Sequence, residues 1–118
     1  MGVSTLDTVF LMVADLDHST EWYRDRLGLQ PGPRYGDWQV MDLDGEVVFA
    51  LHGASTAVHP SDSIVIGFRV ADLDTETEAL SRAGCQPRDP AVTDTGVKRF
   101  RTFADPDGHL FQLVELNG

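Results

Sequence analysis

The side chains that could perform acid–base or metal chemistry are scattered along this chain. It contains four histidines: His18, His52, His59 and His109. They fall at a helix start, a strand end, a linker and a turn. Zinc or nickel needs about three or four imidazole, thiolate or carboxylate donors that converge on one point. The spread of the histidines therefore argues against a preformed metal centre. If a metal did bind, His52 with Glu46 or Asp42 would be the least unfavourable set of ligands.

Nucleophilic chemistry has little support in the sequence. Cys85 is the only cysteine, so no intramolecular disulfide can form. It directly follows Gly84, a helix stop, which favours a buried, small apolar residue over a reactive thiol. No histidine or carboxylate is convincingly placed as a general base. We therefore predict no catalytic residue.

An internal repeat supplies the elements that would position a site. The pentapeptide VADLD occurs at residues 13–17 and again at 70–74, and GLQP at 28–31 corresponds to GCQP at 84–87. Half-domains of this size bury too little surface to be stable alone. The repeat predicts a single domain over residues 1–118, made of modules 1–53 and 63–118 joined by a linker at 54–62.

Within the first module, apolar residues alternate over 6–13, which is typical of a strand. Asp17 is a candidate N-cap for a helix that ends at Gly28. The segment 31–33, Pro-Gly-Pro, is expected to break regular structure. Strands are predicted over 38–43 and 47–51, around an Asp-Gly turn.

The second module repeats this order. We predict a strand over 64–70, a helix over 75–83, a loop over 87–95, and strands over 99–104 and 110–116 on either side of the turn 105–108. Strands and helices in this order predict an α+β fold.

Charge and composition restrict the partners. The chain has 19 acidic and 9 basic residues, a formal net charge of −10, and 42% hydrophobic residues. Such a field repels nucleic acid and anionic membranes and attracts cationic small molecules. No stretch approaches the roughly 18 apolar residues of a membrane span, and no secretion signal is evident. We expect a cytoplasmic protein that contacts neither nucleic acid nor membrane.

Three motifs make the chain resemble the vicinal oxygen chelate (VOC) superfamily, which includes glyoxalase I, extradiol dioxygenases, and bleomycin- and fosfomycin-resistance proteins. They are VADLD in both modules, WYRDRLGL at 22–29 and DPDGH at 105–109. The resemblance covers nearly the whole chain and is specific for no one activity. It implies paired βαβββ modules whose eight strands form a cup around the ligand or metal.

The resemblance also implies where a metal would bind. Metal-using members carry a histidine on the first strand of each module, and these positions correspond to Thr8 and Val65. The glutamate of the last strand corresponds to Gln112, and that of the first module falls at Phe49 or Ala50. Glu115 cannot replace it, because an odd offset from Gln112 directs its side chain to the other face. No metal or other cofactor is therefore expected.

Strand parity places a mainly apolar set of side chains inside the implied cup. Arg69 is the charged member, which must pair with a carboxylate or ligand anion or reach water at the rim, and the rim is favoured. Tyr35 and Trp38 could provide stacking surfaces. The predicted ligand-binding residues are Thr8, Phe10, Met12, Tyr35, Trp38, Phe49, Arg69 and Gln112.

These features favour a metal-independent protein that binds a small molecule. Members related to bleomycin resistance are small, acidic homodimers that sequester cationic or planar antibiotics, and the resemblance implies a similar use here. The alternatives are a metal-free isomerase or lyase of the same superfamily and, with less support, a metal-dependent enzyme resembling glyoxalase or dioxygenase.

Overall fold

The computed structural model describes residues 2–54 and 57–118. The chain divides into two compact units, Met1–Val58 and His59–Gly118. Each has one helix and one four-stranded mixed sheet, as the repeat predicts. The boundary between the units falls inside the predicted linker, of which Ser55 and Thr56 lie outside the described residues. No helix among the described residues is long and apolar enough to cross a bilayer.

The first unit follows the order βαβββ. Its elements are β1 (Thr8–Val13), α1 (Leu16–Leu27), β2 (Gln30–Tyr35), β3 (Trp38–Asp42) and β4 (Val48–Gly53). The strands are ordered β1-β4-β3-β2, with β1 parallel to β4 and the other pairs antiparallel. The predicted turn between β3 and β4 is confirmed, and Gly45 adopts a φ of 103° there.

Helix α1 starts earlier than predicted. Its N-cap is Asp15, whose Oδ1 accepts the backbone N–H of His18 at 3.0 Å. The prediction of Asp17 as the cap is therefore wrong, since Asp17 lies in the first turn and pairs with Arg34 of β2 at 2.7 Å. The predicted stop is confirmed, because Gly28 ends the helix with a φ of 72°, a conformation that favours glycine.

The Pro-Gly-Pro segment does not interrupt the sheet. It lies inside β2, an edge strand, where the register with β3 shifts between Pro31 and Arg34. Prolines are tolerated on an edge because their missing N–H groups would face away from the ladder. Gln39 is 4% exposed and its Nε2 donates to the Gly32 carbonyl at 2.9 Å, so a side chain replaces bonds that the irregular ladder lacks.

The second unit repeats the order. Its elements are β5 (Ile66–Arg69), α2 (Leu73–Arg82), β6 (Thr93–Asp94), β7 (Lys98–Ala104) and β8 (Leu110–Leu116). The strand order is β5-β8-β7-β6, again with one parallel pair. Helix α2 begins two residues before the predicted start because Asp72 caps it, its side chain accepting the Thr75 N–H at 3.1 Å. The predicted loop at 87–95 contains the short β6.

Each sheet buries one face under its own helix. In the first unit Tyr23 of α1 is 0% exposed and packs edge to face on Phe49, with ring centroids 5.7 Å apart. In the second unit Leu73 and Leu80 of α2 are buried, as are Phe103 and Phe111. These aromatic and aliphatic contacts provide most of the core of each unit.

Candidate functional site

Strand register determines which side chains share the face of the first sheet that lies opposite α1. Phe10 is paired with Ala50, and Met12 with His52, across β1 and β4. His52 is in turn paired with Trp38 across β4 and β3. Because paired residues project to the same side, these side chains form one surface. We call Thr8, Phe10, Met12, Trp38 and His52 the aromatic face.

Three rings of the aromatic face contact one another. The centroid of Phe10 lies 4.9 Å from that of Trp38 and 6.1 Å from that of His52, and Trp38 and His52 are 5.7 Å apart. These are ordinary separations for tilted and edge-on aromatic pairs. The cluster is partly open to solvent, since Phe10 is 47% and Met12 38% exposed. It therefore presents a preformed aromatic surface to solvent.

One carboxylate adjoins this surface. Nε2 of His52 lies 3.3 Å from Oδ2 of Asp37, in the turn between β2 and β3. The backbone carbonyl of Asp37 also accepts the Gly53 N–H at 2.8 Å, which holds the turn against the end of β4. A carboxylate in this position can orient the imidazole ring.

The sequence reasoning missed His52 and Asp37 as members of this surface. Asp42 and Glu46 were the carboxylates considered for His52, and the structure places Asp37 there instead. The alternation of side chains along β4 could have placed His52 on the aromatic face, because His52 lies two residues after Ala50 and must share its side of the sheet. The pairing of His52 with Asp37 depends on the β2–β3 turn, which no sequence pattern indicated.

Phe49 does not share the aromatic face, and its prediction as a ligand contact is wrong in this respect. It is 3% exposed, lies on the helix side of β4 and contacts Tyr23. Tyr35 does lie beside the aromatic face, since it is paired with Trp38, and it is 66% exposed at the end of β2. Thr8, Phe10 and Met12 share this surface, as predicted from strand parity, and Trp38 joins them through its pairing with His52.

The corresponding face of the second sheet is more polar. Gly67 is paired with Gln112, and Gln112 with Thr102, while Arg69 is paired with Val114. Nε2 of Gln112 lies 3.4 Å from Oγ1 of Thr102. The predicted ligand residues Arg69 and Gln112 therefore share one face of this unit, which we call the Arg69 face.

A family model matches residues 5–113, and it describes the Glyoxalase/Bleomycin resistance protein/Dioxygenase superfamily. The chain belongs to this superfamily. The fold of two βαβββ modules agrees with the assignment. No curated protein matches the chain.

Solved structures similar to this member of the superfamily confirm the fold. A protein of unknown function from Agrobacterium tumefaciens str. C58 is 23% identical, with a TM-score of 0.79 over 99% of this chain and 97% of that chain. A superfamily member from Sphaerobacter thermophilus DSM 20745 is 19% identical, with a TM-score of 0.75 over 98% and 99%. The oxidase ChaP-H2 is 20% identical, with a TM-score of 0.72 over 99% and 96%.

The residues at the superfamily's metal positions do not fit a divalent ion. Register places Ala50, and not Phe49, on the same side of the sheet as Thr8, so the first-module position offers no donor. Val65 also offers none, and Gln112 contributes only a neutral amide. Across residues 2–54 and 57–118, no three His, Cys, Asp or Glu side chains are grouped to hold a metal. That the protein uses no metal stays a prediction.

Glu115 lies on the other side of β8 from Gln112, as predicted. Its Oε1 accepts the N–H of Leu73 at 3.0 Å, and its Oε2 lies 3.1 Å from Nη1 of Arg99. It therefore stabilises the start of α2 and does not belong to the Arg69 face.

Proposed function

We propose that this superfamily member binds a planar aromatic small molecule on its aromatic face and that its biological use is sequestration of such a compound, an antibiotic or a toxin. One observation supports the proposal above the others. The rings of Phe10, Trp38 and His52 are in mutual contact, yet Phe10 remains 47% exposed. Exposed apolar surface of this kind is characteristic of a ligand site.

Charge favours a cationic ring system on the aromatic face. The chain carries a formal charge of −10, which raises the local concentration of cations, and Asp37 adjoins the rings. A cation over an indole or phenyl ring gains about 0.5–2 kcal/mol. The homodimer and the cytoplasmic location inferred from the sequence stay predictions, and binding by the aromatic face of one chain does not depend on either.

Tryptophan fluorescence tests the proposal, because the chain has two tryptophans and only one lies on the aromatic face. In the Trp22→Phe variant, emission comes from Trp38 alone. We expect saturable quenching of this variant by at least one of bleomycin, mitomycin C and the planar cation proflavine. Phe10→Ala in the same background should weaken binding tenfold or more, which corresponds to about 1.4 kcal/mol.

Calorimetry of the wild-type protein provides the control for that experiment. Trp22 lies on α1, away from the aromatic face, so Trp22→Phe should bind with an affinity within twofold of the wild type. If neither fluorescence nor calorimetry detects saturable binding of any of the three compounds, sequestration of planar or cationic antibiotics is the wrong function.

The alternative of a metal-free isomerase or lyase is favoured by the pair of His52 and Asp37. A carboxylate 3.3 Å from an imidazole nitrogen can orient a general base beside a bound ligand. A substrate of such an enzyme should then exchange a carbon-bound acidic proton in D2O, and His52→Gln should abolish the exchange while retaining binding. Binding without catalysed exchange would leave sequestration as the function.

A further inference from the structure

We propose that the Arg69 face of the second unit binds the carboxylate of an aromatic acid, with Arg69 as the cation that holds it. The inference goes beyond the proposed function, because it assigns a second site in the other unit, and it rests on that function only for the expectation that this protein holds a small organic molecule. It adds a chemical group that neither the superfamily nor the aromatic face specifies. The supporting observations all lie within residues 59–118.

Within residues 2–54 and 57–118, Arg69 differs from most arginines in having no acidic partner. Five other arginines form ion pairs with described residues: Arg24, Arg34, Arg82, Arg99 and Arg101. In the part of the chain that the structure describes, no carboxylate lies within ion-pair distance of Arg69, although acidic residues outnumber basic ones by 19 to 9. Its side chain is exposed at the end of β5 and available to an external anion.

Among the described residues, the strands of the second sheet place no carboxylate on the face that carries Arg69. The acidic strand residues of this sheet are Asp94 and Glu115, and register places both on the helix side. The strand residues on the Arg69 face are neutral or basic, and the two cations among them are Arg69 and Lys98. Strand residues of this composition make the face attractive to anions, in a chain whose overall charge repels them.

Neutral hydrogen-bonding groups lie one strand away from Arg69. Gln112 is on β8, and its amide nitrogen is 3.4 Å from the Thr102 hydroxyl, a long contact that leaves both groups able to bond a ligand. Gly67, beside Arg69 on the same strand, carries no side chain. A Cβ there would meet only Val114 Cγ2, at 3.4 Å, so this part of the face has space for a ligand.

The chemistry of the face favours a carboxylate over a phosphate. One guanidinium presents paired N–H groups whose spacing matches the two oxygens of a carboxylate. A phosphate dianion generally requires more positive charge, and Lys98 lies two strands away from Arg69 and one pair beyond its row, opposite Leu116. Phe100 and Val114 lie in the same row as Arg69, so a ring attached to the carboxylate would have an apolar surface to cover.

Nuclear magnetic resonance titration with three probes tests the assignment. The probes are 2-naphthoate, its neutral analogue 2-naphthamide, and inorganic phosphate. We expect 2-naphthoate to produce saturable shifts of the Gly67 amide, the Arg69 Nε–H and the Gln112 side-chain amide. The other two probes should shift these signals at least tenfold more weakly at equal concentration.

Variants with the same change of charge identify the cation responsible. Arg69→Gln should weaken 2-naphthoate binding tenfold or more. Arg26→Gln removes one positive charge from the exposed side of α1, where Arg26 has no described ion pair, and should leave the affinity within twofold. The amide spectra report directly whether each variant is folded.

The outcomes separate this inference from the proposed function. Equal binding of 2-naphthamide and 2-naphthoate at the Arg69 face, or equal binding by Arg69→Gln, would overturn the carboxylate site. Stronger binding of phosphate than of 2-naphthoate would overturn the choice of an aromatic acid. Shifts confined to Trp38 and His52 would leave the aromatic face as a binding site and overturn the Arg69 site. No shifts on either face would overturn the Arg69 site alone, because the proposed function is tested separately with bleomycin, mitomycin C and proflavine.

Discussion

The two modules place different chemistry at equivalent positions of the same scaffold. Counting back from the shared VADLD motif, Phe10 corresponds to Gly67 and Met12 to Arg69. The parallel ladders then make Ala50 equivalent to Gln112, and His52 to Val114. The first module uses these positions for rings and a thioether, whereas the second uses them for a guanidinium and an amide.

The scaffold constrains the helix side of each sheet much more than the other side. On the helix side, buried apolar residues such as Leu51 and Leu113 occupy equivalent positions in β4 and β8. Packing density limits what can replace them. The opposite side is partly exposed in both units, so aromatic, polar and charged residues are all tolerated there.

The segment that precedes the third strand is held by different side chains in the two modules. Gln39 and Arg101 are equivalent, since Trp38 and Phe100 occupy the same register. Gln39 accepts a hydrogen bond from Arg34 Nε at 2.8 Å and holds the irregular β2, whereas Arg101 Nε lies 2.9 Å from Oδ1 of Asp89 and holds a loop. In both modules the residue at this strand position holds the preceding segment by hydrogen bonds, but the polar groups differ.

The largest predicted effect separates the two faces of the first sheet. Phe49→Ala should lower the free energy of unfolding by about 3–5 kcal/mol, because it removes a buried ring packed on Tyr23. Phe10→Ala should cost less than half as much, since Phe10 is 47% exposed. Urea unfolding of both variants provides the measurement. Equal costs would mean that the two faces do not differ in burial as described.

A smaller loss of stability is expected when the ion pair between Asp89 and Arg101 of the second module is removed. Asp89 accepts both Arg101 Nε, at 2.9 Å, and the Thr102 N–H, at 3.0 Å, and both side chains of the ion pair are mostly buried. Asp89→Ala should lower the free energy of unfolding by about 2–3 kcal/mol, because it leaves partly buried donors unpaired. Urea denaturation measures the loss.

An exposed acidic residue provides the comparison for Asp89. Glu21 lies on the exposed side of α1 without a described ion pair, and Glu21→Ala should change the free energy of unfolding by no more than about 0.5 kcal/mol. A loss at Asp89 as small as the change at Glu21 would show that the loop at 87–92 is not held by this carboxylate.

The smallest predicted effect is a pH dependence at the start of α2. The backbone N–H of Thr75 donates a hydrogen bond to the Asp72 carboxylate and is the main cause that holds the pKa of Asp72 below its ordinary value of 3.8. A hydrogen bond from the Thr75 side chain lowers this pKa further. A lowered carboxyl pKa stabilises the fold above the ordinary value, and this stabilisation is lost as the pH falls through the pKa of the folded state.

Asp72→Asn tests this dependence, because asparagine also caps helices but does not titrate. The variant should match the wild type in thermal stability at neutral pH and should lose less stability between about pH 5 and pH 2. An acid profile identical to that of the wild type would show that the Asp72 carboxylate contributes nothing to the pH dependence.

Much of the fold could be predicted because its local patterns agree with one another. The repeated pentapeptide, the glycine after α1 and the Asp-Gly turn between β3 and β4 each depend on short-range backbone geometry. The N-cap of α1 was predicted two residues late because Asp15 and Asp17 are both competent caps. The structure uses Asp15, as it uses the equivalent Asp72 in the second module, and Asp17 pairs with Arg34 instead.

The candidate site was predicted less completely than the fold. Alternation along β1 correctly grouped Thr8, Phe10 and Met12, because the period of two belongs to the strand itself. Phe49 was misplaced because an uncertainty of one residue in register exchanges the two faces of a strand. His52 was recognised as a polar residue at a strand end, but its carboxylate partner was not found.

The repeat and the local patterns were enough to predict the two-module α+β plan, the start of each helix to within two residues, and the weakness of the donor set at the metal positions of the superfamily. Strand pairing was needed to place Phe49 in the core, His52 beside Phe10 and Trp38, and Arg69 on a sheet face whose strand residues include no carboxylate. Local patterns depend on neighbours along the chain, whereas the composition of a sheet face depends on pairing between strands that are distant in sequence.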